Sequence, residues 1–256
     1  MPSLPQRAAD SATRDVDDAV NKRSWFRSLS VGTLSLLAAL AAARVTSSWI
    51  ESEFPDRPLP RDLLFEALPH VPKAGYFADV AVVAALALLV VYAFRGNARE
   101  VPIMMTLFGV MELMRALMNV LTPLASPLNR GTYYGISVQL EHAFRSVLAP
   151  LVGTLQSGTY FGISVSNGIV HVSQNGEFPS GHMASVFLCM LLVDKAKSPR
   201  IRAAMAVLVV VECVSLLISH QHYSIDIVGG LLLSYFVYYE YARGTWFNWL
   251  KPLITV

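Results

Sequence analysis

Charge is what this chain lacks most. Only 15% of its 256 residues are Asp, Glu, Lys or Arg, while 54% are hydrophobic, and mean hydropathy is +0.47. Soluble domains of this size carry roughly a quarter charged residues. The apolar residues lie in uninterrupted runs, so the missing charge reads as membrane spans and excludes an ordinary soluble domain. Cysteine is nearly absent too. Cys189 and Cys213 both fall inside apolar runs, which excludes a disulfide framework and a cysteine-based metal site. The first apolar run begins only at Ser28, after a polar stretch, so no secretory signal peptide is expected. A net charge of +2 points to no particular partner, and no nucleic acid is expected.

What is present is a succession of apolar runs. They cover Ser28–Ile50, Gly75–Phe94, Val101–Leu121, Pro179–Val193, Ile201–Ser219 and Tyr223–Tyr241. Each approaches the ~20 residues that cross ~30 Å of hydrocarbon, the fourth only if its first turn lies in the interface. The fold class expected is all-α, a polytopic membrane bundle of about six transmembrane helices. Residues 1–27 are read as a mobile polar tail, 28–242 as the membrane domain and 243–256 as a C-terminal tail.

The placement of the charges orients this bundle. Lys22, Arg23 and Arg27 precede the first run; Arg95 and Arg99 lie between the second and third; Lys195, Lys197, Arg200 and Arg202 lie around the fourth-to-fifth connection; Arg243 and Lys251 follow the sixth. By the positive-inside rule these four segments are cytoplasmic. The alternate connections then face outward, and residues 51–73 are acidic on balance (Glu51, Glu53, Asp56, Asp62 and Glu66 against Arg57, Arg61 and Lys73). A six-span count makes every loop agree with the rule. The longest connection, Thr122–Phe178, is far longer than a helix turn needs, and such loops are usually functional or disordered. Its apolar stretches Ser146–Leu155 and Gly162–Val172 suggest contact with the membrane surface or a re-entrant pair.

Two motifs carry chemistry, both at outer ends of spans: Phe178-Pro-Ser-Gly-His182 and His220-Gln-His222-Tyr-Ser-Ile-Asp226. In a helix starting near His222, Asp226 is four residues on and shares its face. Its carboxylate can fix the imidazole tautomer and leave the other nitrogen as nucleophile or base. His182 opens a different helix and can approach the same pocket to donate a proton to a departing oxygen. The N–H groups of Ser180, Gly181 and His182, at the positive end of a helix dipole, make a seat for phosphate. His182, His220, His222 and Asp226 also admit a zinc reading. The Pro-Ser-Gly lead-in suits an anion better, so neither metal nor cofactor is expected. Two histidines and a carboxylate at membrane depth on one side are costly unless used.

These motifs resemble the second and third motifs of the type-2 phosphatidic acid phosphatase superfamily. Within it, Gly176-Glu177-Phe-Pro-Ser-Gly-His182-Met183 and His220-Gln221-His222-Tyr-Ser224-Ile-Asp226-Ile227 resemble the sphingomyelin synthase and ceramide phosphotransferase branch. The resemblance is strong from about Gly176 to Tyr241. Weaker echoes are Arg57-Pro-Leu-Pro-Arg-Asp62, the stretch from Arg115 to Pro123, and Glu141-x-x-Phe-Arg145. It implies six spans, cytoplasmic termini and an exoplasmic site. It also implies that His222 is a nucleophile forming a phosphohistidine, that Asp226 orients it and that His182 is the acid for the leaving alcohol. The partners implied are a phospholipid donor and a lipid alcohol acceptor such as ceramide. Glu177, Met183 and Gln221 stand where that branch has Asp, Thr and Asp, and its cysteines are missing, which puts headgroup and donor in question. Short loops and those missing cysteines suit a bacterial inner membrane.

One absence is informative. The phosphatase branch also uses a Lys-x6-Arg-Pro motif and an Arg six residues before the nucleophile. No lysine here begins such a motif, and Leu216 stands at the Arg position. A dianionic phosphomonoester in a membrane pocket needs several fixed cations, whereas a diester monoanion needs fewer. Transfer is therefore favoured over hydrolysis by a lipid phosphatase, and the intact motifs count against a non-catalytic lipid-binding protein. Ser180, Gly181, Glu177, Tyr223, Glu141, Arg145, Arg115 and His220 are assigned to substrate binding, with His220 alternatively supporting His222 from behind. Glu112 and Arg115 read either as an intramembrane salt bridge or with Arg115 beneath the phosphate, and Glu141 with Arg145 as a surface pair or part of the headgroup pocket. Glu212 is expected to hydrogen-bond between helices, and His70, His142 and His171 to be interfacial.

Overall fold

The computed structural model describes residues 4–54, 60–124, 158–160, 163–166, 169–172 and 178–244. Among them are seven α-helices: α1 (Leu4–Glu53), the short α2 (Leu63–Ala67), α3 (Gly75–Tyr92), α4 (Val101–Leu121), α5 (Gly181–Leu192), α6 (Pro199–Ile218) and α7 (Ser224–Arg243). Helix α1 takes in most of the segment expected to be a mobile tail. Residues 6–27 contain neither Gly nor Pro, so nothing in them breaks a helix already nucleated by the apolar run that follows. Prolines stand in the first turns of α4 and α6, where a missing N–H costs nothing. Gly244 closes α7 in the left-handed conformation at φ 70°.

The long connection differs from expectation. It holds a small antiparallel sheet in the order β1 (Gly158–Tyr160), β2 (Ile163–Ser166), β3 (Ile169–Val172), with Thr159 opposite Ser164 and Val165 opposite Val170. The all-α class therefore holds for the bundle, and the sheet is an addition to it. Residues 163–172 read Ile-Ser-Val-Ser-Asn-Gly-Ile-Val-His-Val, two β-branched runs separated by Asn-Gly, which is a hairpin signal. Their apolarity alone had suggested membrane contact.

Helix α5 lies at the centre. It packs on α7, α6, α3 and α4, while α1 lies chiefly along α4, and α3 along α6. One face of α5 (Val186, Cys189) joins Ala85, Leu89, Tyr92, Met104 and Met205 in a buried cluster. Another (Ala184, Leu188) meets Leu107, Met111, Leu233 and Val237. Met183, in its first turn, packs with Ala78, Leu216 and Ile227. The outer surface of the bundle is apolar: Leu37, Val83, Leu117, Val207, Val210 and Leu232 are all more than half exposed. So much apolar surface on one molecule marks contact with a membrane. Three stretches among the described residues are long and apolar enough to cross one, Ser24–Ser47, Pro72–Leu121 (which holds both α3 and α4) and Pro199–Ile218, with Gly181–Leu192 a shorter apolar helix.

The connections segregate to two ends. At one end the Trp25 indole donates to the Ala98 carbonyl, Lys197 pairs with Glu100 at 2.6 Å, and the Arg202 guanidinium donates to the Leu191 and Val193 carbonyls. At the other, Val71 N–H donates to the Ile218 carbonyl and Ser180 N–H to that of Asp226. Basic connections gather at the first end; both histidine motifs lie at the second.

Candidate active site

The two motifs are joined through the main chain. Ser180 caps α5, its hydroxyl oxygen accepting the Met183 N–H at 3.3 Å, and its own N–H donates to the Asp226 carbonyl at 3.0 Å. That approach needs a residue without a side chain on α7. A Cβ on Gly230 would fall 2.7 Å from the Ser180 carbonyl oxygen, a distance no methyl tolerates. The bond also changes the expected anion seat. The Ser180 N–H is used structurally, and the first-turn N–H groups of Gly181 and His182 are the ones left at the helix start.

His182 and His222 are brought together, ring centroids 6.0 Å apart and planes tilted by 58°. His222 Nδ1 lies 3.6 Å from Asp226 Oδ2, the pair sharing one face of the turn into α7. Asp226 is fully buried, and the same Oδ2 accepts the Tyr223 N–H at 3.0 Å. One carboxylate thus caps the start of α7 and lies beside the imidazole above it. His182 has its own carboxylate, which lies outside both motifs. Its Nε2 is 3.0 Å from Oδ1 of Asp79, on α3, a residue only 6% exposed. Each imidazole therefore has a carboxylate beside one of its nitrogens.

A third carboxyl completes the surroundings. Glu212 of α6 is fully buried within electrostatic reach of His222 and Asp79. Among the described residues it makes no hydrogen bond. The helix-to-helix bond expected of it is not formed. Asp79 and the closeness of Glu212 to the histidines were both missed in sequence; the signal was a lone carboxylate inside each of two apolar runs.

Arg115 forms the salt bridge of its first reading. Its Nε donates to Glu112 at 2.9 Å, with both side chains largely buried, and its guanidinium lies against Gly181, where a Cβ would meet Cζ at 3.1 Å. The ion pair so formed sits at the start of α5. Tyr223 is buried as the cap of α7. His220 turns elsewhere, stacking on Phe65 at 4.2 Å and on His70 at 4.6 Å. Glu177, Glu141, Arg145 and His142 lie outside the described residues. Asp62 caps α2 and also reaches α7, its Oδ2 accepting the Ser224 N–H at 2.6 Å. Burial would raise the Asp62 carboxyl, but N–H groups of Ser224 and Leu64 outweigh that and hold it below the usual carboxylate range. Among the described residues no cluster of three or more His, Cys, Asp or Glu has metal-binding geometry.

The fold and site define an apolar helical bundle that brings two imidazoles together at one end, each with a carboxylate beside it. The chain matches the PAP2 superfamily over residues 66–239, and it belongs to that superfamily. The matched region runs from α2 into α7 and includes Asp79, Arg115, His182, Glu212, His222 and Asp226, while Asp62 lies just before it. Membership carries with it a lipid phosphatase or phosphotransferase type of activity. No curated protein matches the chain.

Proposed function

We propose that the protein is a phosphotransferase that moves a phospholipid headgroup phosphate to a lipid alcohol through a phosphohistidine. The observation that carries this is the facing pair His182–His222, each backed by a carboxylate. Near-attack geometry asks for about 3–3.5 Å between nucleophile and phosphorus, and a proton donor asks for about 2.6–3.2 Å to the leaving oxygen. Two imidazoles 6.0 Å apart are on that scale. Asp226 holds the proton on Nδ1 of His222, so Nε2 attacks phosphorus. The P–O bond to the diacylglycerol oxygen breaks as His182, held by Asp79, gives that oxygen its proton. The acceptor hydroxyl then surrenders its proton to His182, attacks phosphorus and releases His222.

The N–H groups of Gly181 and His182, with Arg115 against Gly181, supply the positive potential for the phosphoryl oxygens. Arg115 is already paired with Glu112, so the described residues of the site offer little cationic charge to a phosphomonoester dianion. This supports a diester substrate and transfer, and the motif resemblance supports the sphingomyelin synthase-like branch with ceramide as acceptor. We further read the protein as a six-span bundle of a bacterial inner membrane, residues 28–242, between cytoplasmic segments 1–27 and 243–256. Alternation of the connections between the two ends supports that topology, and the basic residues at the end opposite the site support a periplasmic site. Ser180, Tyr223, Glu177, Glu141 and Arg145 complete the assignment around the substrate.

The test is purified protein in vesicles containing phospholipid labelled in its headgroup phosphate, with and without ceramide. Labelled sphingolipid that appears only with ceramide is the expected result. Release of a water-soluble labelled headgroup in both samples would instead establish a hydrolase, and no turnover would leave a lipid-binding protein.

A further inference from the structure

Two residues before His222 the backbone enters a region that side chains seldom occupy: His220 has φ +54°. Such a residue persists where its surroundings over-determine it. Here the surroundings are the outer loop. Phe65 of α2 stacks on the His220 ring with 11° between planes, and His70 stacks on it with 20°. The loop is pinned on either side of these rings, by Asp62 to Ser224 at the start of α7 and by Val71 to Ile218 at the end of α6, both at 2.6 Å. The stack thus spans the α6–α7 turn that carries His222.

We infer that the Phe65–His220–His70 stack is a positioning device for His222 that holds its aim only while the two stacked imidazoles are not both charged. The inference rests on the reading of His222 as nucleophile. Neutral rings stack favourably, whereas two imidazolium ions with centroids 4.6 Å apart repel. Charging both loosens the stacked support of the left-handed turn, to which a hydrogen bond between the His220 ring and the Leu68 backbone also contributes. The other titratable groups around it are Asp62 on the loop, His222 in the same turn, and Tyr223 and Asp226 at the start of α7; Arg61 and Glu66 are paired with each other. Burial, and then His70, hold His220 below the ordinary imidazole value, with the hydrogen bond to the Leu68 backbone and then Asp62 acting in the opposite sense. His220, Phe65 and His70 touch none of the reacting atoms. Their effect passes through His222.

Three variants in detergent micelles and in phospholipid–ceramide vesicles decide the matter. Phe65→Ala is expected to lower kcat about tenfold to a hundredfold, the scale of a misaimed catalytic group, with KM little changed, and Phe65→Tyr is expected to restore it. His70→Phe keeps a stacked ring but removes one charge, so activity at pH 8 stays within about twofold of the parent while the acid limb of kcat flattens. In the same variant the NMR titration of His220 moves to higher pH. Unchanged kcat in Phe65→Ala, or an unaltered acid limb in His70→Phe, overturns the inference. The His220 titration is read without turnover. A failure of the phosphotransferase reading would therefore leave that shift in place, whereas absence of the stack would abolish it.

Discussion

The two ends of the bundle use the same residue types in opposite ways. At the end of the basic connections, Lys197 and Glu100 meet with side chains 52% and 32% exposed, tying loops together in contact with solvent. At the other end Asp79, Glu212 and Asp226 are buried, two of them completely. Solvated ion pairs contribute little to stability and are easily replaced. Buried carboxyls are costly unless they are matched or used. A chain this poor in charge buries three carboxyls beside two imidazoles, a placement that the proposed catalysis accounts for.

The comparison breaks most visibly at the histidines. His222→Ala and His182→Ala should each lower turnover by at least about 10²–10⁴-fold while leaving helical circular dichroism unchanged; parental rates in either variant would end the catalytic assignment. Next come the carboxylates, tested by steady-state kinetics. Asp226→Asn and Asp79→Asn should each reduce kcat by about 10²-fold or more, with Asp226 the larger because it also caps α7. Glu212→Gln sharpens the contrast. A packing residue would lower the melting temperature when changed, but this carboxyl has no hydrogen-bond partner among the described residues, so the variant should melt no lower than the parent and turn over more slowly.

Smaller effects are expected at the loop that carries α2. Because hydrogen bonds hold the Asp62 carboxyl below its usual value, the folded state keeps it ionised more readily than the unfolded chain does. Its contribution is present above the ordinary carboxylate range and is lost as pH falls through the depressed folded value. Asp62→Asn should therefore lower stability by about 1 kcal/mol near neutrality and abolish that acid-dependent part, as read by thermal melts across pH. At the opposite end, Lys197→Ala should cost less than about 1 kcal/mol and leave turnover untouched.

Sequence reasoning reached the parts of the site that are local in the chain. His222 and Asp226 are four residues apart, and Ser180-Gly-His182 announces a helix start, so spacing alone relates each to its neighbour. Asp79 was out of reach because it meets His182 across 103 positions, and only the packing of α3 against α5 brings them together. Glu212 was visible as a buried carboxyl, but its direction along α6 was not. His220 shows the converse: its motif suggested the pocket, while long-range contacts with Phe65 and His70 turn it to the outer loop. The small sheet was hidden because apolar β-branched runs were weighed for membrane contact before the Asn-Gly between them was weighed as a turn.

The hydrogen bond from Ser180 to the Asp226 carbonyl belongs to backbone atoms, so among substitutions at those two positions only proline at 180 removes it directly. The side chains that flank it can change while α5 and α7 keep their register.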